Sequence, residues 1–313
     1  MEKGNYTPVA EFFMVGLSNY PELQVFLYIL CLLMYLVILL GNGTLLIITI
    51  LDPRLHTPMY FFLGNLSFLD ICYTSSSIPQ MLVNFTSERK SITFIRCALQ
   101  MIFALGLGCT ECLLLAVMGF DRFVAICHPL RYTVIMNKGI CVQMASWTWM
   151  LGFLVALVQS GLVLILPFCN NIIDHLFCEI VALLKLSCVD ISLNIFVMRI
   201  AGIFVLIIPL LLIFFSYVFI LFSILKIKST EGRKKAFSTC SAHLTVVILF
   251  YGSALFMYMK PKSQGTKLFD ELFGLSYWAF TPMLNPIIYS LRNKEVKGAV
   301  EKVIIRKLYL KKL

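Results

Sequence analysis

Charged residues are scarce in this chain of 313 residues. Asp, Glu, Lys and Arg make up 13% of it, and 60% of the residues belong to the set AVILMFWYC. A soluble domain has about a quarter of its residues charged. So few polar side chains cannot coat a soluble protein, and so many apolar ones are foreign to a disordered chain. The composition excludes both classes and indicates a protein that crosses the membrane several times.

Sequence patterns of catalysis are also missing. The chain contains no G-x-S-x-G, H-E-x-x-H or P-loop pattern, and its four histidines lie in separate segments. His175, Cys178 and Glu179 form one short group of metal-ligating residue types, but an isolated group of this kind is seldom a site. We predict that the protein is not an enzyme and uses no catalytic residue, metal or cofactor.

Long apolar stretches dominate what is present. A bilayer core of about 30 Å is crossed by about 20 helical residues. Residues 1–22 lack the parts of a cleavable signal peptide, so the first stretch would be its own insertion signal. The sequence predicts an all-α bundle of seven transmembrane helices over 24–291, with a segment 1–23 before it and a tail 292–313 after it. The predicted spans are 24–50, 58–80, 97–120, 140–166, 196–225, 238–259 and 271–291.

The basic residues are distributed unevenly along this pattern. If the N-terminus is extracellular, most of the 26 Lys and Arg residues fall on the cytoplasmic side, many of them in the tail. Such a bias sets the orientation of membrane proteins. The net charge of +10 therefore reflects topology and lipid contact, and it needs no nucleic-acid partner. We predict an N-terminus outside the cell and a C-terminus inside.

Features on the predicted outer side agree with this orientation. Asn5 begins an Asn-x-Thr acceptor sequence for N-glycosylation. Four cysteines also fall on this side, where the environment is oxidising and disulfides persist. Four cysteines allow three pairings, and sequence alone does not choose among them. They are Cys97, Cys169, Cys178 and Cys188.

Two acidic residues lie inside predicted spans at similar depth. Asp70 is in the second span and Glu111 is in the third. A charge at this depth is costly, so an ionisable group there is a functional hypothesis by default. With Asn42 and Asn285, the two acids would share a cation, a proton or a water cluster. The alternative is a hydrogen-bonded pair that only fixes helix packing.

The inner half of the predicted bundle carries two further motifs. Asp121 and Arg122 form an adjacent acid–base pair at the inner end of the third span. Asn285-Pro286 interrupts the seventh span, because proline removes a backbone hydrogen bond and kinks a helix. A kink together with intramembrane acids is typical of a helix that moves, although static bundles also contain kinks.

Several longer motifs follow in order along the chain. Together they resemble the olfactory (odorant) receptor family of rhodopsin-like G-protein-coupled receptors, and the sixth span is similar to the tetrapod-type (class II) branch. The resemblance covers almost the whole chain. The motifs are the acceptor sequence at 5–7, GN at 41–42, LHTPMYFFLGNLSFLD at 55–70, DRFVAIC at 121–127, KAFSTCSAHL at 235–244, FYG at 250–252 and PMLNPIIY at 282–289.

The resemblance implies roles for individual residues. It implies two disulfides, Cys97–Cys178 and Cys169–Cys188. It places Asn42, Asp70 and Glu111 in a buried polar or sodium-like site. Arg122 would face a G protein once the sixth span swings outward. The residues of the implied coupling switch are Asp121, Arg122, Tyr217, Asn285, Pro286 and Tyr289.

One motif departs from the family's usual pattern. The family usually reads Met-Ala-Tyr-Asp-Arg-Tyr, whereas this chain has Gly119, Phe120 and Phe123 in the corresponding places. Two hydroxyl groups are lost, and the Asp121-Arg122 pair is retained. The departure bears on the strength of coupling and on basal activity.

For a receptor of this kind, the outer halves of spans three, five, six and seven would form the ligand pocket. The residues there are mostly apolar, which favours a small apolar or weakly polar molecule held by one or two hydrogen bonds. Ala104 stands where amine receptors carry aspartate, and residues 268–291 contain no lysine for a retinal Schiff base. Each pocket residue has ordinary helix packing as its alternative. The predicted pocket is Ala104, Leu105, Gly108, Cys109, Gly202, Val205, Leu206, Tyr251, Ala254, Leu255, Tyr258 and Leu275.

These patterns favour an olfactory receptor that binds an odorant and raises cAMP through a stimulatory heterotrimeric G protein at the plasma membrane, in sensory cilia if the cell is an olfactory neuron. The tail repeats apolar residues between basic ones, as in an amphipathic helix on anionic lipid. A receptor for a non-odorant small molecule in another tissue is the alternative. A transporter is a further one, although the sequence shows no repeated halves. The apolar tail positions are Val296, Val300, Val303 and Leu308.

Overall fold

A computed structural model describes residues 9–16, 20–259, 267–291, 296 and 298–300. Seven long helices run through these residues, and each covers most of one predicted span, so the predicted all-α architecture is confirmed. Most of them extend beyond the predicted spans at one or both ends. The helices are α1 (Pro21–Leu51), α2 (Pro58–Thr86), α3 (Phe94–Cys127), α4 (Lys138–Leu164), α5 (Ser192–Lys226), α6 (Thr230–Met259) and α7 (Lys267–Leu291).

The helix starts follow from local chemistry. Proline stands in the first turn of α1 and α2, where its missing N–H removes no helical hydrogen bond. The Thr93 hydroxyl accepts a hydrogen bond from the backbone N–H of Arg96 at the start of α3 (3.4 Å). The Asn137 side chain accepts one from Ile140 at the start of α4 (3.0 Å). Such caps fix where a helix begins.

Five helices are long and apolar enough to cross a membrane by themselves: α1, α3, α4, α5 and α6. The second helix is more polar, but Asp70, Thr74 and Ser77 are buried within the bundle. Exposed residues of α1 such as Phe26 and Leu40 are apolar, as expected for a surface that faces lipid. The polar side of α2 is therefore covered by protein.

Helix α5 is interrupted by one turn of π-helix at Ile203–Ile207, directly before Pro209. Proline has no N–H to donate, and such interruptions relieve the strain that it causes. Across this turn Val205 is buried, whereas Ile203 and Phe204 are exposed. The interruption thus sets which residues of α5 face the bundle.

A small sheet that the sequence did not predict lies on the extracellular side. Its central strand β1 (Glu11–Met14) pairs antiparallel with β2 (Ser91–Thr93) and parallel with β3 (Ile172–Ile173). Phe12 and Met14 on one face of β1 are buried. The sheet joins the N-terminal segment to two extracellular loops.

The first part of the tail contacts the cytoplasmic end of the bundle. Val296 and Ala299 are fully buried, and they belong to an apolar cluster with Leu55 and Tyr289. The rest of the predicted amphipathic helix, including Val303 and Leu308, lies outside the described residues, as does Asn5. These predictions stay open.

Helices α3 and α4 are in close contact at Gly152. A Cβ atom on this residue would lie 2.8 Å from the backbone nitrogen of Thr110 and 2.9 Å from the carbonyl oxygen of Gly106, and it would overlap the Thr110 hydroxyl. That hydroxyl is held in place because it donates to Gly106 O (2.7 Å). The contact therefore requires glycine.

We expect Gly152→Ala to lower the free energy of unfolding by about 1–3 kcal/mol, because overpacking against fixed backbone forces the helices apart. The check is the thermal unfolding midpoint of the purified protein. Gly161→Ala on the same helix is the control, since no atom of the residues that the structure describes lies within 4 Å of its added Cβ. Equal midpoints for the two variants would contradict the close contact.

Candidate functional site

A buried polar site joins α2, α3 and α7. The Asn285 amide donates to Asp70 Oδ2 (2.8 Å), and Asp70, Glu111 and Asn285 are each at most 1% exposed. One oxygen on each of these three side chains has no hydrogen-bond partner among the described residues. Buried acceptors of this kind call for a proton, a cation or water. The structure thus brings Asp70 and Asn285 together, with Glu111 buried on the neighbouring helix.

Asn42 supplies a hydrogen bond that helix α7 lacks because of its proline. Pro286 has no N–H, so the carbonyl of Pro282, four residues earlier, has no helical donor. The Asn42 amide of α1 donates to this carbonyl (2.9 Å) and also to Ile38 O (3.2 Å). A Cβ on the neighbouring Gly41 would lie 2.8 Å from Pro286 Cγ. The Gly-Asn pair therefore provides both the space and the hydrogen bond that the proline needs.

At the cytoplasmic end of α3, Arg122 is turned toward its own neighbour. Its guanidinium group donates to Asp121 Oδ2. The Tyr132 hydroxyl, between α3 and α4, donates to Asp121 Oδ1 (2.8 Å). Burial, together with the Asp121 carboxylate, raises the pKa of Tyr132, so this hydroxyl keeps its proton. Asp121 is completely buried, and the three groups form a closed cytoplasmic cluster.

A second polar network connects α3, α5 and α6. His243 Nε2 contacts Leu115 O (3.1 Å), and His243 Nδ1 contacts the Tyr217 hydroxyl (2.7 Å). A carbonyl only accepts, so Nε2 carries a proton and donates to Leu115 O, while Nδ1 shares a hydrogen bond with the Tyr217 hydroxyl. His243 is completely buried. Its two hydrogen bonds hold α6 against α3 and α5.

Sequence reasoning missed Tyr132 and His243 as site residues. His243 stood only within a family motif, yet an ionisable residue inside an apolar span was a signal in itself. Tyr132 begins a short helix (Tyr132–Ile135) between α3 and α4 and gave no comparable signal. Tyr289, predicted for the switch, is 6% exposed, and its hydroxyl has no partner in the part of the chain that the structure describes.

Gly119 and Phe123, which depart from the usual motif, make ordinary packing contacts. A Cβ on Gly119 would lie 3.5 Å from Ile213 Cγ1 and 3.6 Å from His243 Cε1, so an alanine would fit by ordinary contact. The Phe123 ring packs edge-on against Phe219 (6.0 Å between ring centroids) and His128 (5.5 Å). Phe123 therefore makes aromatic contacts in a place where a tyrosine hydroxyl would make a hydrogen bond.

Five residues of the predicted ligand pocket share one apolar cluster: Leu105, Cys109, Val205, Leu206 and Tyr251. The Tyr251 hydroxyl donates to Cys112 O (2.9 Å), which fixes its ring between α6 and α3.

The other predicted pocket residues differ from one another in burial and in the residues around them. Ala104 and Ala254 are buried, and Leu255 is half-buried. Gly108 and Gly202 have open surroundings: counting the described residues, a Cβ on Gly108 would have one neighbour at 3.9 Å and a Cβ on Gly202 none within 4 Å. Leu275 lies in a different cluster with residues of α1 and α2. The Tyr258 side chain lies outside the described residues.

Two disulfides stabilise the extracellular segment that follows α4 and lies over α3. The structure joins Cys97 to Cys178 and Cys169 to Cys188, each with 5.4 Å between Cα atoms. The Cys178 N–H also donates to Gln100 Oε1 (2.9 Å). His175 Nε2 lies 3.6 Å from Glu179 Oε1, but the disulfide takes Cys178. Among the described residues, no three His, Cys, Asp or Glu side chains are grouped as metal ligands.

Seven long helices around buried polar networks define a helical membrane bundle. The chain matches the olfactory receptor family over residues 30–307. It is 68% identical to human olfactory receptor 13D1, over 100% of this chain and 91% of that protein. It is 57% identical to human olfactory receptor 13C2, over 99% of the chain and 100% of the relative. It is 50% identical to the dog olfactory receptor-like protein OLF3, over 97% and 96%. The chain belongs to the olfactory receptor family.

Proposed function

We propose that this receptor binds a small apolar or weakly polar odorant between α3, α5 and α6 and activates a stimulatory heterotrimeric G protein, which raises cAMP. The receptor would act in the plasma membrane, in sensory cilia where the cell is an olfactory neuron. The observation that carries the proposal is one continuous apolar cluster. It includes Cys109, Val205 and Tyr251 at the predicted pocket and Leu115 and Met118 nearer the cytoplasm.

The mechanism is a shift between two populated arrangements of the bundle. The described arrangement is closed, since Arg122 is paired with Asp121 and α6 is held to α3 through His243. A ligand that packs better against an arrangement with α6 displaced would favour that arrangement. His243 would then leave Leu115 O, and Arg122 would become available to a G protein.

Screening a library of volatile molecules for cAMP production in transfected cells tests this function. We expect at least one small apolar or weakly polar member to raise cAMP in a dose-dependent manner, with no solute flux across vesicles that contain the receptor. Flux without a cAMP rise would overturn the receptor mechanism. A calcium response without cAMP would overturn the choice of G protein.

We expect Tyr132→Phe to raise basal cAMP about twofold to tenfold per surface receptor. The change removes one hydrogen bond to Asp121, and a neutral hydrogen bond is worth about 0.5–1.5 kcal/mol. Tyr20→Phe, at an exposed extracellular position, is the control. An unchanged or lower basal signal in Tyr132→Phe would show that this bond does not favour the closed cluster.

A further inference from the structure

Arg199 is an isolated positive charge in the outer half of α5. From Ser192 to Leu225 the sequence contains no other charged residue, and Lys226 follows at the cytoplasmic end of the helix. Arg199 is exposed, and it makes no hydrogen bond or ion pair with any residue that the structure describes. A charge in a membrane-spanning helix is costly unless an anion or water compensates it, so this arginine is a functional hypothesis.

The face of α5 that carries Arg199 is turned away from the bundle. Phe196 and Ile203 lie three residues before and four residues after it, so they share this face of the helix. They are 62% and 47% exposed. A Cβ on Gly202, on the same face, would meet no atom of the described residues within 4 Å. An open apolar face of this kind contacts lipid, so Arg199 lies on the lipid side of α5.

The length of the side chain brings its charge to the outer edge of the bilayer. Arg199 follows the extracellular start of α5 at Ser192 by seven residues, or about 10 Å along the helix axis. Helical side chains lean toward the N-terminus of their helix, which is the extracellular end of α5. Long basic side chains bury their methylene groups and extend the charged end to the interface. The guanidinium group therefore reaches the headgroups of the outer leaflet.

Phosphate is the anion that this layer of the membrane offers. Each phospholipid carries one, and a guanidinium group binds phosphate through two parallel N–H donors. The carboxylate nearest along the chain, Asp190, accepts hydrogen bonds from the backbone N–H and the hydroxyl of Ser192 instead (3.0 and 2.6 Å). Within the described part of the chain, no carboxylate lies within 4.0 Å of Arg199. The donors of Arg199 are thus available to a lipid.

The surface below Arg199 suits an acyl chain. Gly202 has no side chain, and the π-helical turn presents Ile203 and Phe204 outward, with 47% and 62% of each residue exposed. A lipid with its phosphate at Arg199 would lay one chain over these residues. The opposite side of this segment is already held to α4, because the Asn194 amide donates to Leu162 O (2.9 Å). A bound lipid would hold the side that the bundle leaves uncovered.

We propose that Arg199 binds the phosphate of an outer-leaflet phospholipid, whose acyl chain packs against Gly202, Ile203 and Phe204. The proposal goes beyond the proposed function, since this lipid site lies on the outside of the bundle and needs neither odorant nor G protein. Its consequence is that phospholipid stabilises the outer half of α5, directly before Val205 of the apolar cluster at the odorant pocket.

Lipid titration of the purified full-length receptor in detergent micelles tests the proposal. The probes are dioleoylphosphatidylcholine, dioleoylglycerol, which has the same chains without a phosphate, and inorganic phosphate, which has no chains. The readout is the concentration that gives half of the rise in the thermal unfolding midpoint. We expect phosphatidylcholine to act at a concentration about tenfold lower than dioleoylglycerol, because it adds charged hydrogen bonds that water partly screens. Inorganic phosphate that acts at the same concentration as phosphatidylcholine would overturn the choice of a lipid.

Arg199→Gln is expected to reduce this preference to less than about twofold, because it removes the charge and the paired donors. Arg131→Gln, at an exposed position between α3 and α4, is the control and is expected to retain the tenfold preference. Both variants remove one exposed positive charge, and their midpoints without lipid should equal that of the wild type. A preference that survives in Arg199→Gln, that is lost equally in Arg131→Gln, or that is absent from the wild type would overturn the proposal.

Discussion

Replacing His243 by leucine is expected to raise basal cAMP at least fivefold per surface receptor. The imidazole makes two hydrogen bonds, one to Leu115 O on α3 and one with the Tyr217 hydroxyl on α5. Two neutral hydrogen bonds are together worth about 1–3 kcal/mol, which is a factor of about 5 to 150 in the ratio of the two arrangements. Leucine packs in the same space but makes neither bond, so α6 separates from α3 more readily.

The measurement is cAMP without ligand, normalised to receptor counted at the cell surface. Ser253→Ala on α6 is the control, because among the described residues the Ser253 hydroxyl bonds only within its own helix, to Leu249 O (2.6 Å). Basal cAMP that stays unchanged or falls in His243→Leu would show that this network does not hold the closed arrangement.

Replacing Gly41 by valine is expected to abolish most of the folded receptor. The first added carbon would lie 2.8 Å from Cγ and 3.1 Å from Cβ of Pro286. A proline ring is bonded to its own backbone and cannot rotate away, so α1 must move from α7. The movement would also break the hydrogen bond from Asn42 to Pro282 O. The cost is about 3 kcal/mol from overpacking alone, a large part of a typical folding free energy.

Gly43→Val is the matched control, since its added Cβ has no neighbour within 4 Å in the described part of the chain. Both variants place the same β-branched residue in α1, so the intrinsic effect on the helix is equal. The check is the amount of receptor at the cell surface and its thermal unfolding midpoint. Similar values for the two variants would contradict the contact between Gly41 and Pro286.

Most of the long helices could be predicted because lipid demands apolar stretches of fixed length, a rule that α1, α3, α4, α5 and α6 satisfy by themselves. The depth of a residue within a span could also be predicted from the sequence, so we expected Asp70 and Asn285 to lie close together. The structure joins these two side chains by a hydrogen bond. The direction in which a side chain faces was harder to predict. Leu275 has the depth of a pocket residue, yet it packs with α1 and α2.

Features built from distant short segments were not predictable. Strand β1 has four residues, and its partners lie far along the chain at Ser91–Thr93 and Ile172–Ile173. Alternation over so few residues is a weak signal.

In the proposed mechanism, a bound odorant frees Arg122 for a G protein. Its most direct test is the odorant-evoked rise in cAMP, compared between the wild type and Arg122→Ala at equal surface amounts. The account predicts that the evoked rise falls at least tenfold in Arg122→Ala, while the unfolding midpoint shift caused by the odorant is retained. An evoked rise that survives undiminished in Arg122→Ala would contradict it.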